Sequence, residues 1–262
     1  MTDRSLGRAT FDEVAELYDA VRPHYPAALA DDLLALARVG EGDRVLEIGP
    51  GTGQLSVALA SRGVRLHAVE LGANLAAVAR RSLASFPDVR IDVADFETWT
   101  PPSEPFDLVV SATAFHWLDP ATRLERVASV LTPDAALAVI STVHVASGDP
   151  FFDDVQECYV RWDPDVDTAS VLPTVDDVPR DDAELEGSAL FGPLTLRRHV
   201  LDVDYTAEQY LDVLATYSGH RLLPPANYDG LLGCIAEFID RRYGGRVRKR
   251  YLFELRVAPR LR

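Results

Sequence analysis

The chain has 262 residues, 47% of them apolar, and a formal net charge of −15. That apolar content suffices for one sizeable core, and the length is near the upper size for a single one. So large an acidic excess repels phosphate backbones and argues against nucleic acid as a partner.

No stretch approaches the ~20 consecutive apolar residues of a membrane span. The segment from Met1 to Arg8 is polar and lacks an apolar signal core. Cys158 and Cys234 offer neither zinc spacing nor a disulfide framework, so they are expected to be buried free thiols in a reducing, cytoplasmic compartment. Lys249 is the single lysine among many arginines, a bias that suggests a bacterial, GC-rich source. It belongs to the one basic cluster, Arg246, Arg248, Lys249 and Arg250, which is expected to form the solvated face of an edge strand.

In chain order, Thr10 and Glu13 fit a capping box for a first helix with Phe11, Val14, Ala15 and Tyr18 on one stripe. That helix should stop before Pro23. Pro26 suits the start of a second helix, with Leu29, Leu33 and Leu36 inward and Gly40 as its stop. From residue 44 short apolar runs alternate with helical patterns. Strands are predicted at 44–48, 64–69, 89–93, 106–110 and 135–140, and helices at 54–62, 73–84 and 120–131, the last opened by Asp119-Pro120. This alternation implies a parallel sheet covered on both faces. Beyond it a helix is predicted around 150–162, an exposed Asp- and Pro-rich loop over 163–187, and a strand at 194–203. Thr206 with Gln209 should open a helical stretch over 206–243, a possible lid over the sheet's carboxyl edge, which Gly244 and Gly245 stop. A final strand follows at 246–257. One domain over 1–262 is expected, with a helical cap (1–40), a cofactor-binding core (41–145) and a substrate-side elaboration (146–262).

The chemically informative segment is Val45-Leu46-Glu47-Ile48-Gly49-Pro50-Gly51-Thr52-Gly53-Gln54. A buried strand enters a turn of alternate glycines and a helix leaves it. Such a turn permits positive φ and close backbone approach to a ligand, at the carboxyl end of a strand where open α/β sheets bind ligands. Glu70 closes the next strand about 20 residues beyond the turn, where an acid can accept both ribose hydroxyls. Glu47 stands just before the first glycine. A carboxylate there repels a pyrophosphate and attracts a cation, which suits S-adenosylmethionine, a ligand with an ammonium, a sulfonium and no phosphate. Gln54 occupies the place of the third small residue in a dinucleotide fingerprint and so counts against a nicotinamide-dependent oxidoreductase. Asp95 after the third strand can accept from an adenine amino group, and Phe96 can flank the ring.

Residues 45–140 resemble the core of class I S-adenosylmethionine-dependent methyltransferases. Leu46 to Gly53 resembles their first motif, Glu70 stands at their ribose acid, Asp95 at their adenine acceptor, and Phe106-Asp107-Leu108-Val109-Val110-Ser111 resembles their fourth-strand motif. The resemblance implies a Rossmann-like α/β fold: a seven-stranded sheet, mostly parallel with the last strand antiparallel, helices on both faces, and 194–203 with 246–257 as the terminal pair. Phe11-Asp12 through Tyr25-Pro26 resembles the N-terminal segment of many small-molecule methyltransferases. Ser111-Ala112-x-Ala114-Phe115-His116-Trp117 is similar to the trans-aconitate-methyltransferase-like group. Leu71 and Ala112 complete the expected cofactor contacts. The implied activity is methyl transfer to an oxygen, nitrogen or carbon of a small molecule; the rivals are an NAD(P)-dependent oxidoreductase and a non-catalytic S-adenosylmethionine-binding protein.

Methyl transfer from a sulfonium is an in-line displacement in which the protein chiefly positions the partners and excludes water. An acceptor that must lose a proton needs a base titrating near neutrality. His116, after the fourth strand, is the first candidate and His144, after the fifth, the second. Trp117, Tyr25 and Tyr217 are expected to line the acceptor pocket with His116. Tyr18 and Arg22 are expected to close over the cofactor, Arg22 pairing with its carboxylate. No metal-ligating cluster stands out.

Overall fold

The computed structural model describes residues 11–163, 165 and 171–261. Aliphatic runs form seven strands: β1 (Arg44–Ile48), β2 (Arg65–Glu70), β3 (Val89–Val93), β4 (Phe106–Ala112), β5 (Leu131–Val145), β6 (Thr195–Thr206) and β7 (Arg246–Pro259). They join in one sheet of order β3-β2-β1-β4-β5-β7-β6. β1 to β5 pair in parallel, while β7 runs antiparallel to both β5 and β6. The expected sheet, with its antiparallel last strand, is therefore present.

Covering both faces of a parallel sheet demands apolar residues in both phases of a strand. β4 meets that demand, with Leu108, Val109 and Val110 all fully buried. On one face α1 (Ala15–Val21), α2 (Ala27–Ala37) and α3 (Gln54–Ala60) lead into the sheet, and Leu29, Leu33, Leu55 and Leu59 pack against Val45, Leu66 and Leu108. α4 (Ala73–Ser82) follows β2. On the other face Val127 and Ala128 of α5 (Arg123–Val130) meet Leu46, Val109 and Leu137.

Several boundaries shift for local reasons. Thr10, half of the expected first capping box, lies outside the described residues. α2 ends at Ala37 because Arg38, not Gly40, takes the left-handed conformation. Asp119 does not cap α5 directly: its carboxylate accepts the Ala121 amide and forms a turn before the helix begins. The helix expected around 150–162 breaks at Val155 into α6 (Phe151–Asp154) and α7 (Gln156–Trp162).

The capping box at Thr206 forms: Gln209 N donates to Thr206 Oγ1 at 3.2 Å and Thr206 N to Gln209 Oε1 at 2.9 Å. It opens α9 (Ala207–Ala215), after the short α8 (Ala183–Glu186); α10 (Ser218–Arg221) and α11 (Pro225–Arg242) follow. Tyr210, Val213, Leu231 and Ile235 bury this helical layer against β7 through Tyr251 and Phe253.

Three expectations are overturned. Cys158 on α7 and Cys234 on α11 are not separate thiols but a disulfide across 76 residues. The two helices face each other closely enough for this because Gly230 lacks a Cβ, which would stand 2.4 Å from the Trp162 ring. The segment 163–187 is only partly a solvated loop: Asp182 is buried and pairs with Arg256 at 2.8 Å, and Arg256 also pairs with Glu254 at 2.7 Å. The basic stretch is not on an edge strand, since β6 covers β7. Arg248 and Arg250 form exposed ion pairs with Asp204 and Asp202, but the alternation of the strand turns Lys249 inward, where its ammonium lies 4.8 Å from the Phe152 ring centre.

Candidate functional site

The strand order reverses between β1 and β4. Chains leaving these strands diverge and open a crevice at the sheet's carboxyl edge. A cleft of about 710 Å³ fills it, bounded by the ends of β1, β2, β4 and β5, the N-terminal segment and residues 217–219 before and within α10.

At one end lies the glycine turn. Gly49 and Gly51 have φ of 68° and 59°, in the left-handed region that glycine enters without penalty. A Cβ on Gly49 would stand 2.6 Å from Ala114 Cβ, whereas one on Gly51 would meet open space. The chain thus passes tightly beneath the turn and leaves its upper side free for a ligand. Gly53, expected in the same set, does not line the cleft; it is the N-cap of α3 and packs toward Ala79.

Glu70 joins two loops. Its Oε2 accepts the Gly51 amide at 2.9 Å and its Oε1 the Gly72 amide at 2.8 Å. Burial pushes its pKa above the usual carboxylate range, against the pull of the Gly72, Gly51 and Leu71 amides. Each oxygen keeps a second lone pair for a ligand hydroxyl. Glu47, 1% exposed, lies under the turn with Oε2 accepting the Ser56 hydroxyl at 2.6 Å. Burial raises its pKa to about 7; the Ser56 bond opposes the rise and the Glu70 charge adds to it. Asp95, Phe96 and Leu71 line the same end. Arg126 stacks 5.1 Å over the Phe96 ring and fixes it.

The N-terminal segment closes this end. Asp12 Oδ1 accepts the amides of Asn74 and Leu75 at 2.8 and 3.0 Å, capping α4 from outside that helix. Phe11 packs edge-on against Tyr18 and Trp117, with ring centres 6.1 and 6.2 Å away. Arg22 is held between the rings of Tyr18 and Tyr217, and its Nε donates to Thr216 Oγ1 at 2.8 Å. Gln54 Nε2 reaches the Arg22 carbonyl at 3.4 Å.

The opposite end holds Tyr25, Ala112, Thr113, His116, Trp117, Thr142, His144 and Tyr217. The structure therefore gathers every residue predicted for the site, Gly53 excepted, around one cleft. Sequence reading missed the capping role of Asp12 and missed Thr113 and Thr142 altogether. The acid at position 12, ahead of an uncapped helix at 73, was the one available signal.

Both histidines are pulled below the ordinary histidine value. Burial, then the charges of Lys249 and Arg22, lower His144 to about 3. Burial and then Arg123 lower His116 as well. His144 is thus a neutral imidazole whose buried Nδ1 has no hydrogen-bond partner among the described residues.

Residues 45–134 match the family described as a methyltransferase domain. An uncharacterised methyltransferase of Mycobacterium tuberculosis is 33% identical over 131 residues, 50% of this chain and 51% of that protein. A solved structure of a putative type II methyltransferase from Anaeromyxobacter dehalogenans is 24% identical, with a TM-score of 0.60 over 91% of this chain and 97% of that one. A Haemonchus contortus phosphoethanolamine N-methyltransferase, solved with phosphomonomethylethanolamine and S-adenosylhomocysteine, is 15% identical with a TM-score of 0.54 over 96% of this chain and 58% of that one. The chain spans about half the length of the curated relatives it matches.

Residues 45–134 thus carry the match to the methyltransferase domain family, and the seven-stranded fold around them is shared with those solved structures.

The buried Glu47 generates a pH test. Its ordinary pKa of 4.5 applies to the unfolded chain, and the fold raises it to about 7. In that window the folded state holds a proton the unfolded state has lost, so this group's contribution to stability falls as pH rises. Glu47→Gln should be near neutral at about pH 4 and stabilising by up to about 3 kcal/mol at about pH 8, read from urea midpoints. An effect of the same size at both pH values would contradict the assignment.

Proposed function

We propose that the protein transfers the methyl group of S-adenosylmethionine to a small-molecule acceptor. The carrying observation is the set of carboxylates, Glu47, Glu70 and Asp95, that lines one cleft together with the glycine turn. Two buried acids beside that turn suit a cationic nucleoside and oppose a pyrophosphate, which disfavours a nicotinamide dinucleotide. In this reading Glu70 accepts the ribose hydroxyls, Asp95 the adenine amino group, and Phe96 and Leu71 sandwich the ring. Glu47 faces the ammonium, Arg22 the carboxylate, and Ala112 and Gln54 flank the methionine arm.

When bound, the cofactor supplies an activated methyl on sulfur. The chain's own residues do the rest. Trp117, Tyr25 and Tyr217 wall the acceptor end, and the Phe11–Trp117 contact closes the mouth against water. His144 lines the acceptor end without serving as its base, because a group with a pKa of about 3 is a poor base at neutral pH. His116, at the rim, is also held below the ordinary histidine value.

A small acceptor, rather than nucleic acid, is supported by the net charge of −15 and by the cleft of about 710 Å³. No described helix is long and apolar enough to cross a membrane.

Calorimetry with S-adenosylhomocysteine should show binding, and Glu70→Ala should weaken it by about 1–3 kcal/mol by removing the partner of buried hydroxyls. No binding at millimolar ligand would end the proposal, and unchanged affinity in the variant would remove Glu70 from it.

A cytoplasmic setting is part of the same reading, and in such reducing surroundings the Cys158–Cys234 disulfide of the structure would open to two thiols. Alkylation of intact cells before lysis should then label both cysteines. Recovery of an unlabelled, disulfide-bonded chain would place the protein in oxidising surroundings instead.

A further inference from the structure

Thr113 lies one residue beyond β4 with a φ of 55°. For a β-branched residue this is an outlier that costs about 1–3 kcal/mol and persists only where its surroundings impose it. The Thr113 amide donates to the Ile140 carbonyl at 2.7 Å, which pins the strained peptide to β5.

The consequence is a chain of hydroxyls. Thr113 Oγ1 lies 3.2 Å from Tyr25 Oη and 3.0 Å from Thr142 Oγ1. Tyr25 comes from the N-terminal segment, Thr113 from the end of β4 and Thr142 from β5, and all three line the cleft. Two hydrogen bonds use two of the three hydroxyl protons. Whichever way the two bonds run, one of the three hydroxyls keeps a proton to donate, and the bonds it accepts strengthen that donation.

The basic groups nearest this end are Arg22 and Lys249, and burial, then the charge of Arg22, lowers the Lys249 pKa to about 7. Arg22 stands 4.2 Å over the Tyr217 ring, and Lys249 lies behind His144 within 5.6 Å of the Tyr251 ring. Neither cation has an ion-pair partner among the described residues. The acids Glu47, Glu70 and Asp95 lie at the glycine-turn end, where Glu47 is engaged by Ser56.

We infer that Thr113 is a positioning residue for the methyl acceptor, and that the Tyr25–Thr113–Thr142 chain donates a hydrogen bond to an acceptor oxygen already ionised at neutral pH. This rests on the methyl-transfer reading of the cleft. The acceptor is a carboxylate or an acidic phenol. A lone pair of the ionised oxygen forms the new O–C bond while the S–C bond breaks and leaves its electron pair on sulfur. The sulfonium charge and the oxyanion charge are lost together and no proton is released. The site therefore needs no base, and the neutral His144 and the Tyr217 hydroxyl, whose pKa burial raises to about 12, supply none. An ammonium would face the Arg22 guanidinium.

The test uses the full chain with S-adenosylmethionine and four probes that share one aromatic ring: benzoate, a nitrophenol, benzyl alcohol and benzylamine. Binding to the protein saturated with S-adenosylhomocysteine is read by calorimetry, and methylated product by mass spectrometry. Benzoate or the nitrophenol should bind and be methylated, the two arms showing which oxyanion is accepted, while the alcohol and the amine should not. Thr113→Val, which keeps the branched shape and loses the hydroxyl, should raise KM for the accepted probe about tenfold with kcat changed much less, and Thr113→Ser should restore it. S-adenosylhomocysteine affinity should stay within about twofold in both variants, a shift that general unfolding would exceed.

Preference for the amine or the alcohol, failure of both oxyanions to bind at millimolar concentration, or a Thr113→Val variant with unchanged KM would overturn the inference. In each case retained S-adenosylhomocysteine binding would leave the underlying methyl-transfer reading intact, and loss of that binding in the unaltered protein would instead remove the reading itself.

Discussion

The site depends on one buried carboxylate. Glu70 closes β2, and its two oxygens hold the amides of Gly51 and Gly72, so a single side chain ties the turn after β1 to the turn after β2. A buried charge is tolerated only when it is well hydrogen-bonded, and here the backbone of the glycine turn supplies the bonds. The turn can present that amide because Gly51 sits at positive φ and has nothing above it where a Cβ would be. Sequence, strand-end geometry and electrostatics thus converge on the same few ångströms.

From that anchor the cleft divides by charge. Acids line the glycine-turn end, and Arg22 with the hydroxyls of Tyr25, Thr113 and Thr142 lies toward the β4–β5 end. The division follows from topology. β1 and β2 carry Glu47 and Glu70 at or next to their last residues, while β4 and the carboxyl half of β5 bring Ala112, Thr113, Thr142 and His144 to the cleft. The cap formed by Phe11, Asp12, Tyr18 and Arg22 spans the two ends, held by Asp12 on α4 and by Arg22 between two tyrosines. Residues far apart in sequence therefore line one cleft.

Much of this was legible in the sequence because it is local. Strand and helix periods, the Thr206 capping box, and the spacing of Glu47, Glu70 and Asp95 from the glycine turn each occupy one segment. What escaped was relational. Cys158 and Cys234 carry no pairing signal across 76 residues; only the meeting of α7 and α11 joins them. The hydroxyl chain needs three segments and a strained φ that no composition announces. The basic stretch misled for a different reason: its charge suggested solvent, although its period of two, with Val247, Lys249 and Tyr251 in one phase, already placed Lys249 inward. Asp182 was likewise read as solvated because its partner, Arg256, lies on a distant strand.

The most direct test of the central claim is a crystal structure of the protein with S-adenosylhomocysteine bound. The account predicts both ribose hydroxyls within hydrogen-bond distance of Glu70, the adenine amino group at Asp95, and the sulfur facing the Tyr25–Thr113–Thr142 end of the cleft. A nucleoside bound elsewhere, or one in this cleft with its ribose remote from Glu70, would contradict it.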